Sequence, residues 1–187
     1  MTSQLHVDRM NAIIQCDLIR MERLRLVRDL GLPDCWIAAG FLRNAIWDDL
    51  HGRQPRQAYD DIDVIWFDPH RTDLMLDVQL EADLAQRDPS ARWSVKNQAR
   101  MHGRNQDVPY ASAADAMCHW VESTAAVAVR IDAADQLQFS TPVGTADLFA
   151  MILRPGPRFL SEKHPVFVAR ITQKRWFERW PLLTLAD

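Results

Sequence analysis

The sequence predicts an α+β fold in which a small mixed sheet is flanked by helices. Three observations point there. Segments with apolar residues at three- and four-residue spacing alternate with short runs of β-branched and aromatic residues. Late in the chain, two apolar runs flank Asp132-Ala133-Ala134-Asp135-Gln136, the pattern of a hairpin with a longer loop. No domain boundary is visible in the 187 residues, the loop at 102–112 and the Pro-rich turn at 154–158 being the only candidate joints, so 1–187 reads as a single domain with helical elements at both ends.

Taken in order, residues 7–30 place Met10, Ile14, Leu18, Met21, Leu24 and Val27 on one face of an amphipathic helix, which Gly31-Leu32-Pro33 stops. Cys35 to Ala39 is a buried strand, and Phe41 to Leu50 a helix that follows Gly40. A polar loop spans 51–59. Ile62 to Phe67 is apolar on both faces and reads as a central strand. Residues 72–87 form a helix with Leu74, Val78, Ala82 and Ala85 inward, and Trp93 to Gln98 is a third strand. Residues 113–122 read as helical, Val127–Ile131 and Leu137–Ser140 as the hairpin strands. Thr145 caps a helix over 146–153, Pro155 and Pro157 break it, and a last helix spans 165–179.

Composition narrows the function classes. Apolar residues at 48% and charged residues at 25% are the globular norm, and the net charge of −3 excludes a strongly cationic nucleic-acid coat. No DNA-binding motif is evident. No apolar run approaches the roughly 18–20 residues that span a bilayer, and the start, MTSQLHVDRMN, lacks the pattern of a signal peptide. Cys16, Cys35 and Cys118 are scattered and form no C-x-x-C, as expected of reduced, mostly buried thiols in a cytoplasmic protein. The charge is uneven along the chain. Residues 60–88 carry nine acids against two bases, and residues 154–180 carry seven bases against two acids.

The strongest local signal is Asp60-Asp61-Ile62-Asp63-Val64 at the start of the central strand. Alternation puts Asp61 and Asp63 on one face, with Cα atoms roughly 6.6 Å apart at about 3.3 Å per residue. Two carboxylates so placed suit one or two divalent ions, Mg²⁺ or Mn²⁺, that also bind substrate phosphates. The plain alternative is a strand edge with solvated aspartates. About twenty residues upstream, Ala38-Ala39-Gly40-Phe41-Leu42-Arg43-Asn44 is a strand, a glycine turn and a helix start, which leaves free N–H groups for a phosphate.

Together these segments resemble the polymerase-β-like nucleotidyltransferases, in which a glycine turn and a helix precede a strand bearing the metal carboxylates. More closely, the chain looks like a bacterial family of small nucleotidyltransferase-like proteins. The matching segments are Ala39–Asn44, Asp60–Val64, Asn97–His102, Leu153–Pro157 and Lys174–Pro181. The resemblance implies a polymerase-β-like core and metal-dependent transfer of a nucleoside monophosphate from an NTP to an acceptor hydroxyl on a small molecule, a protein or an RNA end. It casts Asp61 and Asp63 as metal ligands and catalytic residues, with Gly40, Arg43 and Asn44 at the phosphate turn. Asn97, Gln98, Arg100 and His102 become candidate contacts to base, acceptor or phosphate. Arg154 and Arg158 are candidates to face the acidic edge.

Two departures qualify the match. The family's glycine pair is reduced to Ala39-Gly40, and the third carboxylate is not evident. Asn97 on the next strand is neutral, so Asp132 is the leading candidate and Asp107 a weaker one. A nucleotide-binding protein without turnover on the same fold is the second reading. A glycosyltransferase using D-x-D is disfavoured by the short chain. Lys174–Trp180 alternates bases with aromatics and is expected to pack Trp176, Phe177 and Trp180 inward while the bases stay wet.

Overall fold

A computed structural model of the chain describes residues 2–53 and 61–186. Asp60 and most of the expected 51–59 loop lie outside the described residues. The helices are α1 (Thr2–Gln15), α2 (Leu18–Arg28), α3 (Gly40–Leu50), α4 (Leu74–Arg87), α5 (Met101–Asn105), α6 (Ala113–Cys118), α7 (Ala146–Ala150), α8 (His164–Lys174) and α9 (Trp176–Arg179). The strands are β1 (Trp36–Ala38), β2 (Asp61–Trp66), β3 (Arg92–Asn97), β4 (Ala128–Ile131), β5 (Leu137–Ser140), β6 (Ile152–Leu153) and β7 (Thr184–Leu185). The architecture is α+β, as the sequence predicts.

The main sheet has the order β3-β2-β1-β4-β5. β2 and β3 run parallel because the crossover helix α4 joins them, and the other pairs are antiparallel. One face of the sheet, with Ile37, Ile62, Val64, Trp66, Val95 and Val129, packs on α1, α2 and α3 in the larger core. The opposite face, with Trp36, Ala38, Ile65 and Ala128, carries a much smaller cluster under Ala113 and Met117 of α6. Asp61 and Asp63 alternate with Ile62 and Val64 and so lie on this thinly covered face.

Several elements differ from expectation for local reasons. The long first helix is two. Asp17 is extended and its carboxylate accepts from Arg20 N at 3.0 Å, capping a new helix, and Leu18 is left exposed. α4 is turned by about one position, or 100°. Leu74, Val78, Ala82 and Ala85 face solvent, while Asp77 and Leu84 are buried. Asp77 sets this rotation. Its fully buried carboxylate accepts from Trp66 Nε1 at 2.8 Å and Asn97 N at 3.0 Å, and pairs with Arg100.

The last helix breaks at Arg175, whose left-handed backbone (φ 50°) separates α8 from α9. Trp176 and Trp180 are buried as expected, but Phe177 is not. α7 ends early at Met151, also left-handed, and Thr145 meets His6 Nδ1 at 2.7 Å with no capping bond. β6 then pairs with β7, a ladder too short to leave a sequence pattern. α6 stops at Cys118, short of the predicted 122. Of the three thiols only Cys35 is buried, and burial pushes its pKa up to about 12, whereas Cys16 is exposed. Among the described residues no helix is long and apolar enough to cross a membrane.

Asp77 serves an indole, a backbone amide and a guanidinium in a dry site. Asp77→Ala is therefore expected to cost about 3–5 kcal/mol of stability, read from the midpoint of urea unfolding.

Candidate active site

The β1–α3 turn begins with Ala39. Its N–H bonds Val127 O at 2.8 Å and its carbonyl accepts from Arg43 N at 2.9 Å, so the turn is tied to β4 on one side and to α3 on the other. The price is backbone strain. Ala39 has φ 50° and ψ −117°, a conformation of type II′ turns that favours glycine. No side chain caps α3. Gly40 keeps its N-terminus open, since a Cβ there would lie 3.3 Å from Asn44 Nδ2. The result is a helix end with backbone amides presented to a ligand.

Beside this turn stand Asp63 and Asp61. The register sets Ala38 next to both Asp63 and Ala128, and Asp63 next to Ser94. The residues flanking Asp63 on its own face are therefore small or neutral. Asp61 pairs with the exposed Arg92 at 2.8 Å. Asp63 is largely desolvated, and burial pushes its carboxyl pKa up against the opposing pull of Arg43, Arg170 and Lys174, with Asp61 adding repulsion.

The two carboxylates, Gly40, Arg43 and Asn44 line a cleft of 270 Å³. Its remaining wall is cationic: Arg92, Arg170, Lys174 and Arg179. Arg92 starts β3, and the other three bases come from α8 and α9, which tryptophans dock on α3. Trp47 meets Trp176 and Trp180 edge-on at 5.9 and 5.0 Å, and Trp180 Nε1 donates to Asp48 at 2.8 Å. Arg43 lies over the rings of Trp47 and Trp176, 5.0 and 4.5 Å from their centroids, and donates to Asn44 Oδ1.

Behind the cleft lies Glu122, its side chain wholly buried. It accepts from Arg170 through both oxygens at 2.9–3.2 Å and stands 3.6 Å from Arg43. The sequence holds no local signal for this residue. The surplus of bases in 154–180 does foreshadow Arg170, Lys174 and Arg179.

Asp61, Asp63, Gly40, Arg43 and Asn44 thus come together, and other expected residues do not. Asp132 lies beyond β4, at the end of the sheet away from Ala128 and Asp63. There its carboxylate accepts from Ala134 N and Gln136 N at 2.9 Å and closes the hairpin turn. Asn97 neighbours Trp66, three positions along from the Asp63 pair, and clamps a loop through Asp68 and Arg71. Arg100 is drawn to Asp77. His102 Nδ1 sits 2.9 Å from Ala99 O. Arg154 pairs with Asp147 at 3.0 Å. Asp107 is locked by Arg158 and Tyr110. Of the Asn97–His102 segment, Gln98 and Met101 line a second, larger cavity that shares Asp63, Ala39 and Arg170 with the cleft.

No group of three or more His, Cys, Asp or Glu side chains is gathered as a metal site among the described residues. The donor set for a divalent ion is the pair Asp61 and Asp63. It fits in chemistry, because two neighbouring carboxylates, one of them held back from ionising by desolvation, are what a cation relieves.

With this geometry in view, the comparisons are specific. The sequence matches the model of a nucleotidyltransferase family over residues 25–185. The chain belongs to that family. A structure described as an NMR structure revealing a CCA-adding enzyme head domain superposes with a TM-score of 0.86 at 32% identity, over 96% of this chain and 95% of that one. A CCA-adding enzyme in complex with CTP gives 0.59 at 14% identity, over 90% of this chain and 40% of its own. A tRNA-processing enzyme complex gives 0.57 at 17%, over 88% and 43%. The chain spans about two-fifths of the length of those last two enzymes, which at such identities bear on the fold alone. Curated proteins contain no match to the sequence.

Three outcomes follow from the site. Ala39→Gly removes a strain of about 1–3 kcal/mol for about 0.5–1 kcal/mol of added chain entropy, so a gain near 1 kcal/mol is expected by calorimetric melting. Glu122→Ala removes the buried carboxylate that the buried Arg43 and the half-buried Arg170 share, and is expected to cost about 3 kcal/mol. Asp63 has a folded pKa above its unfolded one. Its stability contribution is therefore most favourable below the unfolded pKa and is lost as pH rises through the folded pKa. Asp63→Asn in metal-free protein is expected to raise the melting temperature at neutral pH, and the gain should vanish in acid below the ordinary carboxylate range.

Proposed function

We propose that the protein is a divalent-metal-dependent nucleotidyltransferase that binds an NTP in the cleft above Asp61 and Asp63 and transfers its nucleoside monophosphate to an acceptor hydroxyl. The observation that carries this reading is the pairing of two carboxylates on one strand face with an uncapped helix N-terminus and a cationic wall. A triphosphate brings several negative charges, and the five bases Arg43, Arg92, Arg170, Lys174 and Arg179 exceed the three acids they face, Asp61, Asp63 and Glu122. The α3 amides suit phosphate oxygens, and Gly40 lets them approach. Asp61 and Asp63 would hold the ion, Mg²⁺ by its preference for carboxylate and phosphate oxygen, with Mn²⁺ as the alternative. Such an ion supplies charge neutralisation at the phosphates and activation of the attacking hydroxyl. The side chains themselves contribute positioning and preorganised charge.

One observation favours a second reading, nucleotide binding without transfer. Ser94 and Ala128 occupy the positions beside Asp63 and its β1 neighbour from which an adjacent strand would offer a further carboxylate.

The two readings part on pyrophosphate release. Titration calorimetry is expected to show NTP binding that strengthens with Mg²⁺. In the Asp61→Ala, Asp63→Ala double variant, Mg²⁺-dependent affinity should fall at least about tenfold, or 1.4 kcal/mol. Unchanged affinity in the double variant sinks both readings. Binding without pyrophosphate release, across NTPs and candidate acceptors, supports the second.

A further inference from the structure

The larger cavity, 840 Å³, opens from the same carboxylate, Asp63, and extends away from the cleft beneath α5, the segment that follows α6, and the segment before α8. It falls in the size range of small-molecule sites. Apart from Asp63 at the border, its acids are already engaged. Asp107 is held by Arg158 and Tyr110, and Glu122 by Arg170. Its bases are not all balanced. Among the described residues neither Arg104 nor Lys163 meets a carboxylate, and Lys163 Nζ donates only to Asn105 O at 3.1 Å. Trp120 lines the same space with the neutral hydrogen-bonding groups of Ser94 and Gln98.

We propose that this cavity is the acceptor site and that the acceptor is a sugar phosphate, its phosphate held by Arg104 and Lys163 and its ring set against Trp120. The proposal rests on the nucleotidyltransferase reading. A phosphomonoester matches two cations without acidic partners. A sugar offers hydroxyls to the amides and a hydrocarbon face to the indole. The shared border at Asp63 and Arg170 puts an acceptor hydroxyl beside the cleft that takes the triphosphate. In the transfer, the acceptor oxygen bonds to the α-phosphorus and the α–β bridging P–O bond breaks. Pyrophosphate leaves with that electron pair, and the hydroxyl proton passes to bulk water.

The test uses the full chain, without metal or NTP, titrated with ribose 5-phosphate and followed by tryptophan fluorescence and calorimetry. The Arg104→Ala, Lys163→Ala variant should bind at least tenfold more weakly while keeping the wild-type circular dichroism spectrum, since both side chains reach solvent. Lys174→Ala, which alters the cleft, should leave probe affinity within twofold. No binding, equal binding of unphosphorylated ribose, or sensitivity to Lys174→Ala in place of Arg104 and Lys163 overturns the proposal. So does a short single-stranded RNA that binds the Arg104 surface a hundredfold more tightly than the probe. Probe binding as expected with no NTP binding removes the transfer reaction and leaves the sugar-phosphate site. NTP binding without probe binding does the reverse.

Discussion

The arrangement of the site depends on the burial of Glu122 between two arginines. A carboxylate with no exposure must be neutralised where it lies, and Arg170 meets it with two-oxygen geometry while Arg43 approaches from α3. One contact therefore joins the first turn of α3 to α8 across the sheet end where Asp63 emerges. The tryptophan cluster of Trp47, Trp176 and Trp180 supplies the apolar half of the same junction. Without it the basic helices would have no fixed relation to the acidic strand. With it, opposite charges that are distant in sequence form the two walls of one cleft.

That junction also explains why the site is energetically tense. Asp63 is half-buried beside Asp61, and its charge is resisted by desolvation more than it is helped by Arg43, Arg170 and Lys174. Ala39 holds a backbone conformation better suited to glycine while its N–H and carbonyl tie β4 to α3. Both features weaken the empty protein and suit a bound one. A cation answers the first, and a phosphate set on the α3 amides would draw on the turn that the second maintains.

Much of this was legible in the chain. The central strands follow from β-branched and aromatic runs, and the Asp61–Asp63 pair on one face follows from the period of two. The turn at Ala39-Gly40 and the inward Trp176 and Trp180 were also readable from local pattern. The errors share a cause. Asp77 is polar and buried, so a pattern that seeks apolar residues turned α4 the wrong way, although Asp77 bonds three partners. Asn97 and Arg100 look like ligand contacts in sequence because nothing local reveals that Asp68, Arg71 and Asp77 already use them. Asp132 looked available because distance along β4 was invisible without the register.

By itself the sequence determined the α+β class, the strand that bears the acids, the glycine turn before α3 and the imbalance of charge along the chain. These are local properties, written in side-chain period and composition. Only the tertiary structure decided which charges meet. It chose Arg170, Lys174 and Arg179 over Arg154 for the cleft, placed the buried Glu122 behind it, and sent Asp132 to the far end of β4. The physical reason is that an ion pair is set by burial and by the register of distant strands, and neither is carried by any short segment of the chain.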